Sequence, residues 1–175
     1  MRTLFAILFL GVFVVAGTAW GASVHVAMHK VDKNGTGELI GTIEFQDTPR
    51  GLLILPNLHG LSPGQHGIHV HQNPNCGPAD RDGTIVPGLA AGGHYDPQNT
   101  GRHAGPMGDG HLGDLPVLHV DTRGNATRSM YAYRLDTGDL AGRAIVIHAG
   151  GDNYSDSPQQ LGGGGARVAC GVIGG

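Results

Sequence analysis

Glycine sets the first constraint on this chain. Thirty-two of its 175 residues are glycine and ten are proline. Beyond residue 21 they separate short apolar runs, and no long stretch repeats at the helical spacing of i, i+3, i+4. A helix tolerates interior glycine poorly. Period two is what recurs here. In 23–30, Val24, Val26 and Met28 fall on one face and His25, Ala27 and His29 on the other. Segments 38–46, 51–56, 67–72, 117–121, 127–135, 143–148 and 167–173 are further strand candidates. Between them lie two stretches without periodicity, Asn73 to Leu115 and Asn153 to Gly165. Loops of that length in a compact domain usually carry function. The expected fold is all-β: an eight-stranded antiparallel Greek-key barrel or sandwich with two long functional loops. No internal repeat is present, and 22–175 reads as one domain.

The first 21 residues read as an address. Met1-Arg2-Thr3 is a positively charged start, and Leu4 to Ala16 is an apolar run of signal-peptide length, short for a bilayer span. Ala19-Trp20-Gly21 offers small residues for cleavage after Gly21, with Ala19 as the alternative. A cleaved signal leaves no stable membrane association and sends the chain into an oxidising compartment. Its two cysteines, Cys76 and Cys170, are what one disulfide needs. The net charge of −3 argues against a nucleic-acid partner, which would demand a basic stripe.

Eleven histidines stand out against a charged content of only 14%. In Gly67-Ile68-His69-Val70-His71, alternation sends Ile68 and Val70 to the core and both histidines outward together, within reach of one metal ion. His66 shares the face of Ile68 and Val70 and reads as a packed structural histidine. The long loop carries His94, His103, His111 and Asp114, and three histidines with one aspartate form a natural tetrahedral zinc set. Such a site can order a loop that has no core of its own. His148 ends the apolar run Ala144-Ile145-Val146-Ile147 and can aim at a site from a third direction. His25, His29, His59 and His119 read as surface residues.

The segments His66 to His71, Gly93-His94, His103-Ala-Gly-Pro106, His111-Leu-Gly-Asp114, Val146-Ile-His148 and Gly165 to Ile173 resemble, in order, the signatures of copper/zinc superoxide dismutases. Gln72-Asn-Pro-Asn-Cys76, His111 to Pro116, His148-Ala-Gly-Gly-Asp152 and the Gly162 to Gly165 run resemble the bacterial periplasmic branch. The resemblance implies one copper and one zinc per subunit. Copper ligands would be His69, His71, His94 and His148; zinc ligands would be His94, His103, His111 and Asp114. His94 would bridge the two ions as an imidazolate. Asp152 would join His69 to His103, Arg167 would draw in the anion, and Cys76 and Cys170 would form the intrasubunit disulfide. The implied reaction is dismutation of superoxide to O₂ and H₂O₂, as antioxidant defence in the periplasm, by a possible homodimer.

Three other readings fit less of the chain. A metal carrier needs neither a bridging His94 nor Arg167. A zinc hydrolase needs an open coordination position, which a full His₃Asp set lacks. A structural barrel leaves the ordered histidines unexplained. One departure from the family concerns charge. Only two lysines exist, Lys30 and Lys33, so Arg81 and Arg102 become the other candidates for steering substrate.

Overall fold

A computed structural model describes residues 21–174. The expected signal segment, residues 1–21, therefore lies outside the described residues except for Gly21. No helix among them is long and apolar enough to cross a membrane. Among the described residues there are eleven strands: β1 (Ser23–Asp32), β2 (Gly35–Thr48), β3 (Gly51–Leu58), β4 (Gly64–His66), β5 (Ile68–His71), β6 (Ala79–Arg81), β7 (Thr84–Val86), β8 (Leu118–Val120), β9 (Met130–Ala132), β10 (Ala144–His148) and β11 (Arg167–Val172). Every pairing is antiparallel.

Seven strands make one curled sheet in the order β5-β10-β11-β1-β2-β3-β9, so the last strand closes against the first. β4 pairs with β8, and β6 with β7 as a hairpin. The all-β expectation holds, with more and shorter strands than the eight expected. Segment 67–72 contributes only β5, and its neighbour β4 pairs with β8 in a separate ladder. Segment 127–135 keeps three paired residues. The long loop also holds structure that its turn-rich sequence hid: the β6–β7 hairpin and a 3₁₀ turn at Leu89–Ala91.

Alternation fills the barrel. β3 buries Leu52, Ile54 and Leu58, and β2 buries Ile40, Ile43 and Phe45. They pack with Val26, Met28, Ile68, Val70, Ile145 and Ile147 in one apolar cluster. β5 and β10 depart from one-sided burial, because every residue of both is buried. Their inner residues join the core. Ala144 and Val146 on the outer face of β10 form a second cluster with Cys76, Ala91 and Cys170. Loops cover the sheet there, and the candidate site residues lie beneath them.

Candidate metal centre

Register assembles half the site. Val146 pairs with His69 and Ala144 with His71, so these residues share the outer face that His148 also occupies. A register shift between Ile147 and His148 sets Arg167 of β11 opposite His148. One irregularity thus brings a cation beside an imidazole at the strand ends.

The long loop supplies the other half by running along the free edge of β5. Val70 N–H donates to Gly113 O at 2.9 Å, Tyr95 N–H to Val70 O at 2.8 Å and Gln72 N–H to Gly93 O at 3.1 Å. Isolated bridges then set His71 beside His94 and His69 beside Asp114. The approach leaves no room for a side chain at Gly113, where a Cβ would strike the Val70 carbonyl and sit 2.9 Å from Tyr95 N. The disulfide Cys76–Cys170, across 94 residues, ties the start of the same loop to β11.

The expectation that His69 and His71 project outward is right in direction, but neither is exposed: both are fully buried, and His94, His103, His111, Asp114 and His148 are buried with them. Burying so many polar rings costs free energy unless each nitrogen is paired. Half of them are. His71 Nδ1–H donates to Gly92 O at 2.9 Å, and His148 Nδ1–H to Gly165 O at 3.2 Å. His69 Nε2–H and His103 Nε2–H donate to the two oxygens of Asp152 at 2.8 Å and 2.7 Å. Each of these bonds fixes the ring's orientation and, in the neutral ring, leaves the opposite nitrogen with a lone pair. Those opposite nitrogens, His69 Nδ1, His71 Nε2, His103 Nδ1 and His148 Nε2, are buried without a hydrogen-bond partner, as are His94 Nε2 and His111 Nδ1.

These lone pairs converge in two groups. Donor atoms of His69, His71, His94 and His148 lie within 4.8 Å of one another, and so do those of His69, His94, His103 and Asp114. Around the Asp114 carboxylate, His94 Nδ1 stands at 2.9 Å, His103 Nδ1 at 2.9 Å and His111 Nδ1 at 3.4 Å. His69 has a single free nitrogen, so it can serve one ion only. His94 alone turns one nitrogen to each group.

Burial is the largest influence on most of these rings. It lowers the pKa of His69 and His71 far below the ordinary histidine value, and that of His94 less. His148 falls to about 4, again chiefly through burial. All four are thus neutral and ready to ligate at neutral pH. At His103, burial also pulls downward, but hydrogen bonds and charge from Asp114 and Asp152 outweigh it and raise the pKa to about 9. Burial pushes the Asp114 carboxyl up, and His103 and His94 overcome it, holding that group well below the usual carboxylate range.

Comparison with known proteins agrees with the geometry. A family model described as copper/zinc superoxide dismutase matches residues 39–173. A superoxide dismutase [Cu-Zn] of Escherichia coli is 50% identical over 160-odd residues, spanning 91% of this chain and 93% of its own. The solved Cu/Zn superoxide dismutase of Brucella abortus superposes with a TM-score of 0.86 at 50% identity, covering 87% of this chain and 99% of that one. The monomeric copper, zinc superoxide dismutase of Salmonella enterica gives 0.78 at 54%, with the same coverage.

The chain belongs to the copper/zinc superoxide dismutase family.

It is accordingly an oxidoreductase that acts on superoxide with copper and zinc as cofactors. The donors present fit that pair of ions. Four imidazole nitrogens suit Cu(II), and imidazole with carboxylate suits Zn(II). Both groups draw on buried lone pairs that no protein atom satisfies.

The dismutase site opens through a cavity of about 390 Å³ whose walls include His71, His94, His148, Leu161, Arg81 and Arg167. Arg167 donates to Gly88 O at 2.5 Å and Gly92 O at 2.6 Å, and Gly92 O also accepts from His71. Burial first, then the charge of Arg81, lowers its pKa to about 10, so it stays cationic at neutral pH. Arg102 is elsewhere, paired with Asp109 at 2.6 Å, and Lys30 is paired with Glu38 at 2.8 Å. His66 bridges His148 O at 2.7 Å and Ser62 O at 2.8 Å, the structural role its face implied.

Two arginines escaped sequence reasoning. Arg134 reaches the carbonyls of Gly105, Gly110 and His111, bracing the loop between His103 and His111. Arg143 lies 3.6 Å over the ring of Tyr95, the residue after His94. Neither sits in a motif, and only the fold shows which loop each one meets.

Proposed function

We propose that His69, His71, His94 and His148 hold copper, that His94, His103, His111 and Asp114 hold zinc, and that His94 serves both ions. The six buried imidazole nitrogens without a partner carry this reading. A grouping of His69 with His103 and Asp114 is also close in space. We assign His111 instead, because the one free nitrogen of His69 is spent on the copper side while His111 Nδ1 faces Asp114 without a hydrogen bond.

When bound, copper supplies a one-electron couple and zinc a fixed positive charge beside His94. The net reaction turns two superoxide ions and two protons into O₂ and H₂O₂. Arg167, half-buried at the cavity wall with two of its N–H groups held by backbone, draws in and orients each anion. Arg81 lines the same cavity and is the second steering cation. His94 lines that cavity, and its Nε2, which has no hydrogen-bond partner, can hold a proton for the superoxide that leaves as H₂O₂. Asp152 keeps His69 and His103 in the tautomers that present their Nδ1 lone pairs.

Residues 1–21 act in this reading as a cleaved export signal, and the mature chain works in the periplasm. The bacterial relatives and a disulfide, which persists in oxidising compartments, support that placement. All proposed ligands come from one chain, so a homodimer, if formed, adds none to the site.

Stepwise metal loading of single variants tests the assignment. His71→Ala should lose copper and keep zinc, and His111→Ala the reverse. Equal loss of both ions in each variant would contradict it. Arg167→Glu should retain both ions and slow turnover by about ten- to a thousandfold, with a flattened dependence on salt. Wild-type rate and salt response in that variant would remove Arg167 from the reaction.

A further inference from the structure

The loop between Asn153 and Gly165 crosses the metal loop at His103, and two aspartates make the crossing. Asp152 takes the ring: its Oδ1 accepts from His103 Nε2–H at 2.7 Å. Asp156 takes backbone from both loops. Its Oδ2 accepts the His103 N–H at 2.8 Å, and its Oδ1 accepts the Leu161 N–H at 2.9 Å.

Leu161 is an unusual endpoint for that bond. Its backbone is left-handed, at φ 54 and ψ 43, a conformation that leucine keeps only where its surroundings impose it. It also forms part of the wall of the cavity that contains His94, His148 and Arg167. The next residue, Gly162, lies so close to His103 that a Cβ there would strike the Asp152 carboxylate and stand 2.8 Å from His103 Nε2. The chain at 161–162 is therefore packed closely against Asp152 and His103.

We infer that Asp156 is a positioning residue that couples occupation of the zinc side to the wall of the substrate cavity. The inference rests on the assignment of His103 to zinc. His103 Nδ1 stands against Asp114 without hydrogen-bond alignment, so an ion there fixes the ring and backbone of His103. Asp156 carries that constraint to Leu161. Such coupling is reciprocal between the two ends.

Amide hydrogen exchange on the copper-loaded protein, with and without one equivalent of zinc, tests this directly. Zinc should slow exchange at both His103 and Leu161, each by tenfold or more. In Asp156→Ala, zinc should still bind but leave Leu161 exchanging fast. Copper extraction by a dithiocarbamate anion should depend on zinc in wild type and lose that dependence in Asp156→Ala. Zinc that protects His103 in wild type while leaving Leu161 unchanged overturns the coupling. Zinc that binds without protecting His103 overturns the ligand assignment beneath it. The wild-type measurement can overturn the coupling without any variant, and Asp156→Asn, which keeps one oxygen acceptor, tests the role of Asp156 by the same exchange readout if Asp156→Ala does not fold.

Discussion

The barrel and the loop that covers it are ordered by different forces. The seven-stranded sheet holds its shape by burying Ile43, Phe45, Ile54, Ile145 and similar side chains against one another. The stretch from Asn73 to Leu115 has little of this. It rests on backbone bonds to the edge of β5, on the disulfide, on Arg134 and on the meeting of His94, His103, His111 and Asp114. Apolar burial can be satisfied by protein alone. The loop presents lone pairs that only a cation completes. A barrel thus provides the rigid wall, and ions held by the proposed ligands would act on that wall as the core of the loop.

Removing the metals should separate the two regions most sharply. Each ion contributes on the order of 4 kcal/mol when present at a thousandfold excess over its Kd. Chelation should lower Tm markedly and speed amide exchange at His94, His103 and His111 while β2 and β3 stay protected. Uniform loss of protection across both regions would break the distinction.

Opening the disulfide comes next in size. Closure across 94 residues corresponds to at most about 4–5 kcal/mol of stability. Cys170→Ser should lower Tm and speed metal release, because the same bond holds the loop near Arg167. Unchanged melting with full metal retention would show that the loop does not depend on it.

Acid should weaken the metal-free protein through the same residues. The His148 pKa drops from 6.5 to about 4 on folding, and His69, His71 and His94 are also lowered, mainly by burial. The unfolded chain then binds more protons between pH 6.5 and 4, so stability falls as pH falls through that window. His103 has the opposite sign. Its pKa is raised to about 9, so its contribution is full below pH 6.5 and is lost as pH rises through 9. For His148 alone the loss is on the order of 3 kcal/mol. Thermal melts of metal-free protein at pH 7 and pH 4.5 measure it, and equal Tm values would remove burial of neutral rings from the account.

Much of the fold and of the site was legible because strands repeat every two residues. Alternation put Ile68 and Val70 inside and His69 and His71 on the other face, and it marked His66 as packed. It could not show that a loop would bury the outer face, since that depends on contacts far apart in sequence. The β6–β7 hairpin stayed hidden within Ala79–Val86 because three-residue strands carry too little pattern to detect. The proposed ligands stand out by type and by resemblance. The register shift that aligns Arg167 with His148, and the carbonyls that Arg134 gathers, exist only once β10, β11 and the loop have met.

The central claim is that loop and barrel together build a dismutase centre. Following superoxide decay by rapid mixing, with residues 22–175 loaded with one copper and one zinc, tests it most directly. A second-order rate of ~10⁸–10⁹ M⁻¹s⁻¹, falling as salt rises, is the predicted result. A rate no faster than buffer alone, with both ions bound at full occupancy, would contradict it.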